Sequence, residues 1–233
     1  MSHPPKRQPF LIGITGPIGC GKTTIAQILG ELGGTAIDAD LLARRATDSG
    51  RSTLGRIRAR FGDDVFAVDG ELDRGALAAI VFEDPATLAD LEGIVHPEVR
   101  RMVDELLEAA SAEEAPFVVV EAIKLVEGGL ADRCDEVWLI ECASETQRER
   151  LTARGMSAED ADRRLAAQGP DLAGRLEELL DRRPNSIQRT RRLSTEGAVD
   201  DVRERVEDAL ADAFESDSPY FSERGQAPHR SGA

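Results

Sequence analysis

Gly16-Pro17-Ile18-Gly19-Cys20-Gly21-Lys22-Thr23 fits the phosphate-loop pattern G-x-x-x-x-G-K-[ST] without a mismatch. The residue types explain the chemistry. Glycines at 16, 19 and 21 let backbone N–H groups turn inward around anionic phosphates, where a Cβ would block the turn or the approach. Lys22 is placed to reach β- and γ-phosphates as a point charge, and the Thr23 hydroxyl to ligate a bridging Mg²⁺. Pro17, Ile18, Cys20 and Thr24 complete the nucleotide-contacting stretch. Such a loop works only between a buried strand and a helix whose N-terminus adds partial positive charge. Both are present in the sequence, as an apolar run from Phe10 to Thr15 and as Ile25, Ile28 and Leu29 at helical spacing within 23–32.

Further elements follow in alternation. Thr35–Asp38, Phe117–Glu121 and Glu136–Cys142 read as strands two to four. Strands alternating with helices imply a three-layer α/β/α fold around a parallel sheet, here expected to have five strands. The core is expected at about 10–40, 115–143 and 176–214. Between strands two and three, a wholly helical insertion is expected at about 41–114. Leu54, Ile57 and Phe61 mark one of its helices, Asp73 caps one bearing Leu77, Ile80 and Val81, Asp84-Pro85 opens a third, and His96-Pro97 opens a long fourth. A second insertion at about 144–175 carries Arg148, Arg150 and Arg154, then a capping-box-like Ser157-Ala158-Glu159-Asp160, and reads as a lid over the phosphates. Residues 1–9 and 215–233 are polar and read as disordered tails.

Composition narrows the function. A formal net charge of −15 over 233 residues argues against a nucleic-acid partner, which would need a clustered basic face. No apolar run reaches membrane-spanning length and the N-terminus lacks a signal-peptide core, so a cytoplasmic protein with no membrane partner is expected. Cys20, Cys134 and Cys142 show no metal-ligand spacing and suit a reducing compartment. Cys20, inside the loop, is either an oxidation-sensitive position or a small residue that fits there. The N-K-x-D segment that reads guanine in GTPases is absent from the sequence. A phosphate loop followed by two helical insertions, the second rich in arginine, is the plan of small-molecule kinases, in which one insertion holds the acceptor and the other closes over the donor.

The sequence resembles the dephospho-CoA kinase family. The resemblance rests on GITGPIGCGKTT with Ile37-Asp38-Ala39-Asp40, Phe61-Gly62, Asp69-Gly70-Glu71-Leu72-Asp73-Arg74, His96-Pro97-Glu98-Val99-Arg100 and Leu125-Val126-Glu127. It continues through Gln147 to Arg154, with Arg164 and Gln168. It implies transfer of a phosphoryl group from ATP to the ribose 3′-hydroxyl of dephospho-CoA, with Mg²⁺, by a monomer or small homo-oligomer. By the same resemblance Lys22, Asp40 and Arg150 are catalytic, with Asp40 beside the acceptor hydroxyl, and Arg150 and Arg154 clamp ATP. His96, Arg100, Lys124 and Glu127 line the acceptor side with Asp40. Thr23, Asp38 and, through water, Glu121 face the metal. Asp38 and Asp40 could instead cap the next helix, and His96 could serve packing or capping.

Two departures stand out. Where the family reads a proline and two leucines after the third strand, this chain has Ile123-Lys124-Leu125. Either the Lys124 stem packs and its head reaches solvent or a phosphate, or the acceptor pocket has changed. From Arg182 to Glu196 the chain reads RRPNSIQRTRRLSTE, where the family has an apolar last strand. Arg189, Arg191 and Arg192 either bind nucleotide phosphates or lie in a solvated loop, the reading expected here, with Leu193–Gly197 standing in for the strand and turn before a returning helix over 199–214. These departures keep open a kinase of another small phosphorylated alcohol and a nucleotide-binding relative without catalysis.

Overall fold

The structure, a computed structural model, describes residues 9–48, 50–168, 174, 176–178 and 189–215. Five strands, β1 (Phe10–Thr15), β2 (Thr35–Asp38), β3 (Phe117–Glu121), β4 (Glu136–Glu141) and β5 (Arg189–Ser194), form one parallel sheet in the order β2-β3-β1-β4-β5. A parallel sheet needs cover on both faces, which is why its central strands read as unbroken apolar runs. On one face, α1 (Lys22–Glu31) and α8 (Val199–Glu215) pack Ile25, Leu29, Val202 and Val206 against Ile12, Ile14, Val119, Trp138 and Ile140. On the other, α2 (Ala39–Arg45) and α5 (Pro85–Ala112) pack Leu42, Val99, Val103 and Leu107 against Leu11, Val118, Val120, Val137 and Leu139. Alternate residues of the three central strands, β3, β1 and β4, thus feed two separate cores.

The insertion between β2 and β3 comprises α2, α3 (Ser52–Phe61), α4 (Arg74–Val81) and α5, with a satellite core of Ile57, Val65, Leu77, Val81 and Ile94. It is not wholly helical: a 3₁₀ turn at Asp63–Val65 and an antiparallel bridge between Phe66 and Leu72 interrupt it. Asp73 caps α4 through the N–H groups of Gly75 and Ala76, both at 2.9 Å, and Asp84 caps α5 through Ala86 and Thr87, both at 3.1 Å. His96-Pro97 does not open a helix. Both residues lie inside α5, which runs unbroken through Pro97. Proline leaves the carbonyl four residues earlier, that of Gly93, without its helical donor. Arg56 of α3 supplies a substitute, donating to Gly93 O at 3.5 Å and Ile94 O at 3.4 Å.

After β4 come α6 (Ser144–Ala153) and α7 (Ala158–Gln168), the latter opened by Ser157 Oγ accepting from Asp160 N at 3.1 Å. The rest of the expected lid, 169–173 and 175, lies outside the described residues, as do 1–8 and 216–233 of the expected tails.

Arg189, Arg191 and Arg192 are not in a solvated loop. They belong to β5, which lies at the sheet edge in register with β4 from Glu136↔Arg189 to Glu141↔Ser194. Glu136 is buried on β4 and accepts from Arg191 Nε at 2.7 Å and Trp138 Nε1 at 3.1 Å. A buried carboxylate so paired lets an arginine occupy a strand position where an apolar residue was expected. Arg192 points to the other face, toward Glu177 and Glu141. Only Leu193 of the strand is buried, so the run carries no apolar signature.

Candidate active site

The connections leaving the carboxyl ends of β1 and β3 run in opposite directions, since the chain leaves β1 toward β2 and leaves β3 toward β4. Ligands bind at such a switch point in open α/β sheets. The phosphate loop starts there. Gly16, Gly19 and Gly21 have φ of 147°, 81° and 82°, conformations that favour glycine. At Gly16 the requirement is also steric, because a Cβ would run into the carbonyl oxygen of Ile140 on β4. Lys22 opens α1 and is buried, its Nζ donating to Gly16 O at 2.9 Å and Pro17 O at 3.0 Å. Burial pulls its ammonium below the ordinary value, against the pull of Glu121, Cys20 and Asp40. Gln168, at the end of α7, accepts from Ile18 N at 3.2 Å, which ties the second insertion to the loop.

Three carboxylates gather at the ends of β2 and β3. Asp38 is the N-cap of α2, accepting from Leu41 N at 2.8 Å. Asp40 caps nothing; its Oδ2 accepts from Ile123 N at 3.2 Å, joining α2 to the segment after β3. Burial raises its pKa against the hydrogen bond from Ile123, and neighbouring Asp38 adds to the rise. Glu121, the last residue of β3, accepts from Thr23 Oγ1 at 2.9 Å and is likewise raised by burial. Lys22, Thr23, Asp38, Asp40 and Glu121 are therefore brought together.

A second group sits beyond the segment 122–130. Glu92, His96 and Arg100 are four residues apart on α5 and so share one face. Lys124 forms an ion pair with Glu92, Arg100 Nη1 donates to Gly128 O at 2.9 Å, and the His96 ring lies beside Gly128. At Gly128 a Cβ would come within 2.7 Å of Lys124 O, so any other residue forces a shift there. Burial lowers the His96 pKa, against the pull of Glu92. Glu127 is exposed and also acts on the His96 charge. The Lys124 head is thus engaged by a carboxylate that sequence reasoning missed. The spacing of Glu92 to His96 was the available signal.

Beside the phosphate loop, Arg150 of α6 donates to Thr195 Oγ1 at 2.8 Å, Thr195 O at 2.6 Å and Gly19 O at 3.5 Å. Thr195 in turn donates to Cys20 O at 2.7 Å. Arg150 and Arg154 line a cavity of about 290 Å³ with Gly21, Thr24, Thr195, Gly197, Val199 and Val202. Thr195, Gly197, Val199 and Val202 were also missed, because they follow a strand without an apolar pattern.

A strand, glycine loop and helix at the switch point of a five-stranded parallel sheet, followed by two helical insertions, define a P-loop kinase. A family model described as dephospho-CoA kinase matches residues 10–177. Dephospho-CoA kinases of Geobacter sulfurreducens and Geobacter metallireducens are 40% identical over 207 residues and 44% identical over 162 residues. The first alignment covers 88% of this chain and 98% of the relative, the second 69% and 81%. The solved structure of TT1252 from Thermus thermophilus superposes with a TM-score of 0.69 at 37% identity, over 88% of this chain and 97% of that one. A dephospho-CoA kinase from Campylobacter jejuni shares the fold, with a TM-score of 0.57 at 23% identity over 87% and 96%. The chain belongs to the dephospho-CoA kinase family. Among the described residues no helix is long and apolar enough to cross a membrane.

Proposed function

We propose that this chain transfers the γ-phosphoryl group of ATP to the ribose 3′-hydroxyl of dephospho-CoA, giving CoA and ADP, with Asp40 as the carboxylate at the acceptor hydroxyl. Family membership makes it an ATP-using phosphotransferase of coenzyme A biosynthesis. The observation that supports the residue assignment is Asp40 itself: half-buried, near Lys22, free of any capping duty, and held by the N–H of Ile123 on the segment that also carries Lys124 and Gly128. A carboxylate so placed orients the hydroxyl and takes its proton as the oxygen attacks phosphorus. Phosphoryl transfer needs little more from the protein than position and neutralised charge. Lys22 leaves its loop carbonyls for the β- and γ-phosphates, and Arg150 and Arg154 supply positive charge at the rim of the donor cavity. Arg100, His96 and the Lys124–Glu92 pair contact the acceptor, with Glu127 at their exposed edge.

The hydroxyl of Thr23 and the carboxylate of Glu121, one hydrogen bond apart, form an all-oxygen donor set that fits Mg²⁺, with the Asp38 carboxylate close enough to act on the Glu121 charge. A metal held there would supply positive charge that neutralises the phosphates of the donor. The cavity flanked by Gly197, Val199 and Val202 is the place for the adenine.

The test is ADP release with ATP, Mg²⁺ and dephospho-CoA, the product weighed by mass spectrometry and Lys22→Ala as the blank. A product heavier by one phosphoryl group and absent from the blank is expected. Transfer to another phosphorylated alcohol in preference to dephospho-CoA would overturn the assignment of the acceptor.

A further inference from the structure

Two of the three cysteines meet at the base of the phosphate loop. Cys20 is fully buried between Gly19 and Gly21, and Cys142, half-buried, follows the last residue of β4. Their sulfurs are 2.7 Å apart, with Cys142 donating to Cys20. Gln147, buried on α6, donates its Nε2 to Cys20 Sγ at 3.2 Å. Closing this pair to the ~2.05 Å of a disulfide bond requires movement of under about 1 Å.

We propose that Cys20 and Cys142 are a reversible modification site, at which a low-molecular-weight disulfide joins the two sulfurs and disables the phosphate loop. Cys142, the more exposed thiol, attacks the oxidant R–S–S–R, forming a mixed disulfide and releasing one RSH. The Cys20 sulfur then attacks Cys142 Sγ and expels the second RSH. The protein gives up two hydrogens, and the oxidant is reduced to two thiols.

Exposure gives Cys142 the first encounter with the oxidant, and the surroundings ready Cys20 for the second step. The hydrogen bond from Cys142 is the largest influence drawing the Cys20 thiol below its ordinary value, with Gln147 and Lys22 adding to it against burial, while Cys142 is raised by the same contact. Cys20 is thus the sulfur readied for the second, internal attack. Cys134 lacks these features. It is buried, pushed up by that burial, and its sulfur is hydrogen-bonded to Leu130 O at 3.4 Å. The disulfide acts on nucleotide binding because it tethers the middle of the loop to the junction of β4 and α6. It also weakens the sulfur as an acceptor for Gln147, whose Nε2 is left with the longer bond to Cys142 O at 3.5 Å. The loop can then no longer adjust its amides, nor Lys22 its reach, to the phosphates.

The experiment treats the full chain with oxidised glutathione, then digests it without reduction and measures phosphoryl transfer and ATP binding in parallel. We expect a joined peptide pair containing Cys20 and Cys142 and an intact mass lower by two hydrogens. We also expect turnover to fall about a hundredfold, the scale of a ~1 Å misplacement in an active site, and to return with dithiothreitol. Cys142→Ser should keep basal turnover and lose the sensitivity, with Cys142→Ala in its place should the serine variant not fold. Inactivation that persists in the Cys142 variant overturns the proposal. So does a glutathione adduct without the joined pair, or a joined pair with unchanged turnover.

Discussion

The proposed donor and acceptor halves of the site are made of different material. The donor half is backbone: three left-handed glycines, loop carbonyls holding Lys22, and a Thr195 that fastens both Cys20 and Arg150. The acceptor half is side chain: Glu92, His96 and Arg100 on a proline-containing helix, set against Lys124 and Gly128. A backbone cradle suits the phosphates that every ATP presents, and tolerates almost no change. A set of side chains on one helix face can be altered singly, which is where a kinase fold adjusts its acceptor.

If that contrast is right, alanine at two glycines should separate the halves. Gly16→Ala combines a positive φ with a clash against Ile140 backbone, so we expect destabilisation of about 3 kcal/mol or more and loss of ATP binding, read by urea unfolding and calorimetry. Gly128→Ala, with no left-handed φ and only Lys124 O in its way, should lower stability by about 1 kcal/mol. It should raise KM for dephospho-CoA while leaving KM for ATP in place. Equal effects on both KM values would erase the distinction.

The smallest expected effect concerns His96. Burial sets its folded pKa below the ordinary ~6.5, so the folded state binds the proton less readily than the unfolded chain. The stability contributed by the neutral ring is present above the ordinary value and is lost as pH falls from there toward the folded pKa. His96→Gln should flatten the fall in urea midpoint between about pH 8 and about pH 5. A variant with the wild-type pH slope would place the ring in solvent.

The donor half was legible in the sequence because glycine spacing reports backbone geometry directly, and the strand and helix beside it are apolar at the right periods. The helix caps at Asp73, Asp84 and Ser157 were legible for the same local reason. What was hidden depends on partners distant in the chain. Pro97 reads as a helix start until Arg56, on another helix, is seen donating to Gly93 and Ile94. The arginines of β5 read as a loop until Glu136, buried on β4, is seen to receive Arg191. In both places a single charged side chain overrides the local rule, and only the fold brings it there. The role of Lys124 was open for a like reason, since Glu92 lies near the start of α5, 32 residues earlier in the chain.

The central claim is that Asp40 serves transfer rather than binding or folding. Calorimetry of ATP and dephospho-CoA on Asp40→Asn, paired with single-turnover phosphoryl transfer, tests it most directly. Asparagine can still accept from Ile123 N, so both ligands should bind within a few-fold of wild type and the fold should be no less stable. The transfer rate should fall by ~10² or more, the range expected for loss of a positioned base. Transfer near the wild-type rate with binding intact would contradict the role assigned to Asp40.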